Sequence, residues 1–235
     1  MAPPESILVI GDSNVSYSGT CQQPWRWAGR HSCGTLHFPS MVELLQRTAP
    51  CPVGYVPLPQ LRGAHDSDLT IRMAAQTLPR PCAAVILVGQ NDADEWSRYS
   101  TRGPEDLKQN FRLTMHRRVL RLQDLLLGLS LTPVWVLPFD DPKGEFTPLY
   151  QELVQQYSQL LHAVARHLMI AIPLQFETDQ YHLLPASRVA LATCLCQAVR
   201  EECWTAPADL SDGRRALGLR LAGWIAERGC AWCSR

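Results

Sequence analysis

The sequence predicts an α/β protein, a three-layer α/β/α sandwich built around a five-stranded parallel sheet. Five short apolar runs of strand length, Ile7 to Ile10, Val53 to Leu58, Ala83 to Val88, Val134 to Leu137 and Met169 to Ile172, are separated mostly by long amphipathic stretches. Strands that alternate with helices imply parallel pairing and right-handed crossovers. With 235 residues, 46% of them hydrophobic, and no low-complexity linker, the chain can bury one substantial core.

The first element is ILVIGDSNV, residues 7 to 15. A continuous apolar run ending in Gly reads as a buried parallel strand, which sets Gly11, Asp12 and Ser13 at the carboxyl end of a sheet, where α/β folds hold their ligands. Ser13 is therefore a candidate nucleophile, although Gly-Asp-Ser alone also reads as an ordinary tight turn. After the second run comes Gly63 in LRGAHDSDL, and after the third comes Gly89-Gln90-Asn91-Asp92.

Residues Pro104 to Leu127 read as a helix. Gly103 precedes a first-turn proline, Glu105 and Asp106 suit the positive end of the dipole, and Gly128 is placed as the C-terminal cap. Its Lys108, Arg112, His116, Arg117, Arg118 and Arg121 read as a solvated face. Lys108, Arg112 and His116 are spaced four apart and offer phosphate or an acidic partner a stripe as the alternative. From Leu149 onward, Leu149, Leu153, Tyr157, Leu160, Val164 and Leu168 share one helical face suited to packing on the sheet. After the fifth run comes Asp179-Gln180-Tyr181-His182, and Leu183-Leu184-Pro185 leads toward a last helix.

Beyond Trp204, Leu217, Leu221, Trp224 and Ile225 form an apolar face among Arg214, Arg215 and Arg220. The expected division is a domain over 1–203 and a helical extension over 204–235 that docks on the domain or on a partner.

Lys plus Arg and Asp plus Glu are each 22, so the net charge is zero. That argues against a protein whose main business is coating nucleic acid, while a local basic patch stays open. The start, MAPPESILVIGD, has no basic leader and too short an apolar stretch for a signal peptide or membrane span, so a cytoplasmic protein is expected. Nine cysteines, several in apolar segments, read as buried small hydrophobes. Cys230 and Cys233 form a lone CxxC, and His31, Cys33 and His37 match no justified zinc spacing, so no metal site is expected.

The four stretches Gly11-Asp12-Ser13, Gly63, Gly89-Gln90-Asn91-Asp92 and Asp179-Gln180-Tyr181-His182, in this order and each after an apolar run, resemble the blocks of the SGNH hydrolases, the GDSL-type esterases and lipases. The resemblance runs from Ile7 to about Ser187 and implies a flavodoxin-like sandwich. It makes Ser13 the nucleophile, His182 the general base and Asp179 its orienting carboxylate. It forms the oxyanion hole from the backbone N–H groups of Ser13 and Gly63 and the side-chain amide of Asn91. The family's usual Leu after GDS is Asn14 here, outside the catalytic roles. Asp12 reads as a structural turn residue.

The chemistry agrees with those roles. A serine hydroxyl needs a neighbouring base, and a carboxylate fixes the imidazole tautomer. A glycine lets backbone approach substrate, and an amide supplies a neutral donor to the oxyanion. The expected activity is that of a serine ester hydrolase acting through an acyl-enzyme on a small or medium acyl ester, without a cofactor. Acetyl esters, lysophospholipids and acyl thioesters stay open, with loops 93–103 and 139–146 shaping the pocket. The alternative is an SGNH-like binding module of an RNA-associated or retroelement-type protein, with little or no hydrolysis.

Overall fold

A computed structural model describes residues 4–16, 39–64, 66–98, 105–138 and 147–165 with their side chains. It describes 19–21, 25–27, 30–32, 36–38, 99, 104 and 168–169 by backbone alone, together with short helical pieces at 188–189, 191–193 and 195–196. The expected acid and base Asp179 and His182, Cys33, and the 204–235 extension with Cys230 and Cys233 lie outside the described residues.

In chain order the elements are β1 (Ser6–Gly11), α1 (Ser13–Ser16), β2 (Gly19–Cys21), β3 (Trp25–Trp27), β4 (Arg30–Ser32), β5 (Leu36–Phe38), α2 (Met41–Thr48) and β6 (Val53–Pro57). A single 3-10 turn follows at Leu61–Ala64, then α3 (Asp68–Gln76), β7 (Cys82–Leu87), α4 (Gln90–Tyr99), α5 (Pro104–Gly128), β8 (Leu131–Val136), α6 (Pro148–Val164) and β9 (Leu168–Met169). The central sheet has the order β6-β1-β7-β8-β9. Every pair in it is parallel, and the fifth strand, β9, has two described residues. Numbered among themselves the strands run 2-1-3-4-5, a doubly wound order whose switch point lies between β1 and β7. Two short antiparallel pairs, β2 with β5 and β3 with β4, stand apart from this sheet between α1 and α2.

Strand side chains alternate between faces, and each face has its own helices. Leu8, Ile10, Ala84, Ile86 and Trp135 pack with Ile71 of α3, Phe111, Met115, Val119 and Leu122 of α5, and Leu153 and Tyr157 of α6. Ile7, Val9, Val85, Leu87, Val134 and Val136 pack with Met41, Leu44 and Leu45 of α2 and with Leu191, Ala192 and Leu195. Both faces of β1 are therefore fully covered, which is why its sequence shows no polar alternation. Ser40 starts α2 with a capping box: its hydroxyl accepts the Glu43 N–H at 3.2 Å, and the Glu43 carboxylate accepts the Ser40 N–H at 2.6 Å.

Several expectations are corrected. Strand β8 begins at Leu131 rather than Val134. Pro133 lacks an N–H, but the described rungs to β9 begin only at Trp135, so the proline breaks none of them. Helix α6 ends at Val164, and Leu168 belongs to β9 instead of the helical face. Helix α5 continues through Gly128, because the Leu129 N–H still reaches the Leu125 and Leu126 carbonyls; the left-handed residue after it is Ser130, at φ 57°. The segment after β7 is helix α4 as far as Tyr99, not a loop from residue 93.

Two cations of the predicted basic face are engaged within the molecule. Lys108 pairs with Glu105 of its own helix and with Glu152 of α6, and Arg118 reaches the buried Asp92 instead of solvent.

Candidate active site

The carboxyl ends of β1, β6 and β7 bring three of the four sequence blocks together. At the end of β1, Gly11 is confined: a Cβ there would lie 2.8 Å from the Leu87 carbonyl oxygen and would collide with Val15. Its carbonyl accepts the Leu58 N–H at 2.8 Å and the Tyr55 hydroxyl at 3.3 Å. Asp12 is 4% exposed and its Oδ1 accepts the Asn14 N–H at 2.9 Å, closing the turn that lifts Ser13 out of the sheet. Asp12 thus has the structural turn role expected of it. Ser13 is exposed while Asp12 and Asn14 on either side are buried.

Gly63 lies in the 3-10 turn after β6 and is half-buried. Its N–H donates to the Gln60 carbonyl at 3.0 Å, and its carbonyl accepts the Ser67 N–H at 3.0 Å. A Cβ on Gly63 would meet only Leu58 Cδ1, at 3.6 Å, so packing against the described residues does not demand glycine there.

Gly89 turns the chain from β7 into α4 at φ 116°, a conformation that side chains resist, and a Cβ would overlap the Tyr157 ring, with Cζ at 2.6 Å. Tyr157 is 1% exposed and donates its hydroxyl to the Val88 carbonyl at 2.9 Å. Burial pushes its phenol well above the usual tyrosine range, so it remains a neutral donor. Asn91 is the second residue of α4, and its Nδ2 donates to the Pro59 carbonyl at 3.0 Å. Gln60 Nε2 donates back to the Asn91 carbonyl at 3.2 Å and to Glu95 Oε2 at 3.0 Å.

Asp92 is the deepest polar group of this edge, at 0% exposed. Its Oδ2 accepts the Leu61 N–H at 2.8 Å and its Oδ1 accepts Arg118 Nη1 at 2.7 Å. Burial pushes its carboxyl up from the ordinary value, and the Leu61 and Arg118 contacts oppose that push. Sequence reasoning quoted Asp92 without giving it a role and left Arg118 on a solvated face. The fixed Asn-Asp pair was the available signal for the first, and nothing in the helix pattern marked the second.

A recess with room for about one water is lined by Asp12, Asn14, Gln90, Leu87, Val88 and the segment Val136 to Pro138, and Ser13 is not among its lining residues. Asn14 Oδ1 is buried with no hydrogen-bond partner. Among the described residues no cluster of His, Cys, Asp and Glu is arranged to hold a metal ion, and no helix is long and apolar enough to cross a membrane.

No family model matches the chain, and no curated protein does. Solved structures do. The inhibitor-bound aryl esterase of M. smegmatis is 19% identical with a TM-score of 0.50, the match covering 84% of this chain and 99% of that one. The psychrotrophic esterase EstA of Pseudoalteromonas sp. is 12% identical with a TM-score of 0.52, covering 84% and 98%. The chain shares the fold of these two esterases. A protein from Arabidopsis thaliana, 12% identical with a TM-score of 0.52 and covered over its full length, extends the likeness across 86% of this chain. In this fold the Ser13, Gly63 and Asn91 turns follow the parallel strands β1, β6 and β7 and share one sheet edge.

Proposed function

We propose that the chain is a serine ester hydrolase that cleaves a small or medium acyl ester through an acyl-enzyme. The observation that carries the reading is the exposure of Ser13 between buried Asp12 and Asn14, on the edge that also presents the Gly63 and Asn91 turns. In this reading Asp179 fixes the imidazole, His182 takes the Ser13 proton as the Ser13 oxygen attacks the ester carbonyl and gives it to the departing alcohol, and a water deprotonated by His182 then cleaves the acyl-enzyme to the acid and free Ser13. The oxyanion is met by the Ser13 N–H, the Asn91 amide and the Gly63 N–H. The Gly63 N–H now serves the neutral Gln60 carbonyl, and a charged oxygen competes for it because charge-assisted hydrogen bonds are about twice as strong. The freedom around Gly63 supports this: its small side favours close approach from outside the fold.

EstA has been seen inhibited by monoethylphosphonate, which suggests phosphonates as probes of this chain. Wild type is expected to be labelled at Ser13 by a fluorophosphonate and to hydrolyse p-nitrophenyl acetate, with both lost in Ser13→Ala and hydrolysis lost in His182→Ala. A wild type no faster than Ser13→Ala on short and medium esters, and unlabelled, would return the chain to the binding-module reading. The internal pairing of Lys108 and Arg118 takes two cations away from any nucleic-acid stripe on α5.

A further inference from the structure

The edge that carries Ser13 is braced from behind by one buried ion pair. Asp92 sits between the 3-10 turn of Gly63 and helix α5, bonded to the Leu61 N–H on one side and to Arg118 on the other. Leu61 N–H is a first-turn donor with no carbonyl of its own turn to serve, and Asp92 caps it. Asn91 and Asp92 are adjacent, while Leu61 and Gly63 are two apart. The buried bond from Asp92 to Leu61 therefore ties the backbone that carries Asn91 to the backbone that carries Gly63.

Other links join the same two segments, none of them fully buried: Asn91 Nδ2 donates to the Pro59 carbonyl on the exposed side, and Gln60 Nε2 to the Asn91 carbonyl and Glu95 in a part-buried setting. The Arg62 to Glu95 pair is 57% and 30% exposed at its side chains, a setting in which ion pairs contribute little. The Asp92 to Arg118 pair is 0% and 25% exposed. Arg118 projects from a helix locked on the sheet by Met115, Val119 and Leu122, all fully buried. A buried ion pair seldom raises stability above that of a well-packed apolar pair, so its advantage here is geometric.

We propose that Arg118 is a positioning residue that, through Asp92, holds the Asn91 amide and the Gly63 N–H at the spacing one oxyanion requires. The inference rests on the serine-hydrolase reading of Ser13. Displacing reacting groups by about 1 Å lowers turnover by about a hundred-fold. A slackened brace acts on the transition state, where the oxyanion exists, more than on substrate binding.

The test uses the full chain, p-nitrophenyl acetate and a fluorophosphonate as active-site titrant. Arg118→Met is expected to lower kcat per titrated site by about ten- to a hundred-fold, with KM changed less than about threefold. Arg118→Lys, which keeps a cation for Asp92, is expected to recover most of that loss. A merely structural Arg118 would instead lower the number of titratable sites and leave turnover per site intact, and that result overturns the inference. If Arg118→Met does not fold, Arg118→Gln, which keeps a donor without the charge, carries the same comparison: a loss in kcat per site supports the brace, and an unchanged kcat overturns it. A wild type that neither hydrolyses nor labels is a different failure. It removes the serine-hydrolase reading itself, and the positioning role with it.

Discussion

Replacing Gly89 with Ala tests whether the turn into α4 is held as described. The backbone there has φ 116°, and an added Cβ would overlap the Tyr157 ring. The dihedral strain costs about 1–3 kcal/mol. The ring has little freedom to retreat, being 1% exposed and tied to the Val88 carbonyl, so overpacking adds about 1–3 kcal/mol more. The expected total is about 2–6 kcal/mol. In urea unfolding, with a slope of about 2–3 kcal/mol per M, the midpoint falls by about 1 M or more. Tyr157→Leu removes the obstructing ring but not the strain, so the double variant should lose less than the sum of the singles by about 1 kcal/mol or more. A Gly89→Ala midpoint within about 0.3 M of wild type would refute the argument.

Gly63→Ala is expected to leave stability within about 0.5 kcal/mol, since only Leu58 Cδ1 faces the new methyl, yet to slow ester turnover; equal losses of both would remove Gly63 from the site. At the end of α5 two substitutions should stabilise by about 0.5–1 kcal/mol each in thermal melts: Gly128→Ala, in exposed helix with open space around it, and Ser130→Gly, at φ 57°. Arg118→Met should make stability more dependent on pH. Burial already raises the Asp92 pKa, and losing Arg118 removes an opposing influence, so the folded protein holds the proton more tightly than the unfolded chain. Asp92's contribution is then full below about pH 4 and is lost as pH rises through the folded value, so urea midpoints at pH 5 and 7 should separate further than in wild type; equal separations would contradict the sign.

The sheet was legible because buried parallel strands announce themselves as unbroken apolar runs: the first four runs became β1, β6, β7 and β8, and of the fifth, Met169 to Ile172, the described residue Met169 lies in β9. The Ser13, Gly63 and Asn91 turns were legible because each follows such a run. What the sequence hid depends on distant partners. Arg118 looks like any helix-surface cation until the tertiary fold supplies Asp92, 26 residues earlier. Ser40 and Glu43 spelled out a cap for α2, yet α2 is only Met41–Thr48, too short for periodicity to stand out. Pro133 concealed the start of β8, because whether a missing N–H matters depends on where the neighbouring strand begins.

The Asp92 brace also sets an order of events. Its two bonds close spans of 31 and 26 residues, one back to Leu61 and one forward to Arg118, across the β7 to α4 turn. Closing such spans loses chain entropy before any contact repays it. The Leu61 amide hydrogen therefore gains its buried acceptor only when the α4 turn has docked on the 3-10 turn. In refolding followed by pulsed hydrogen exchange, that single amide is a clock for the nucleophile edge. Its protection should appear with the α4 amides and after those of the β1 to β7 ladder, so the sheet forms first and the edge that would perform the chemistry sets afterwards.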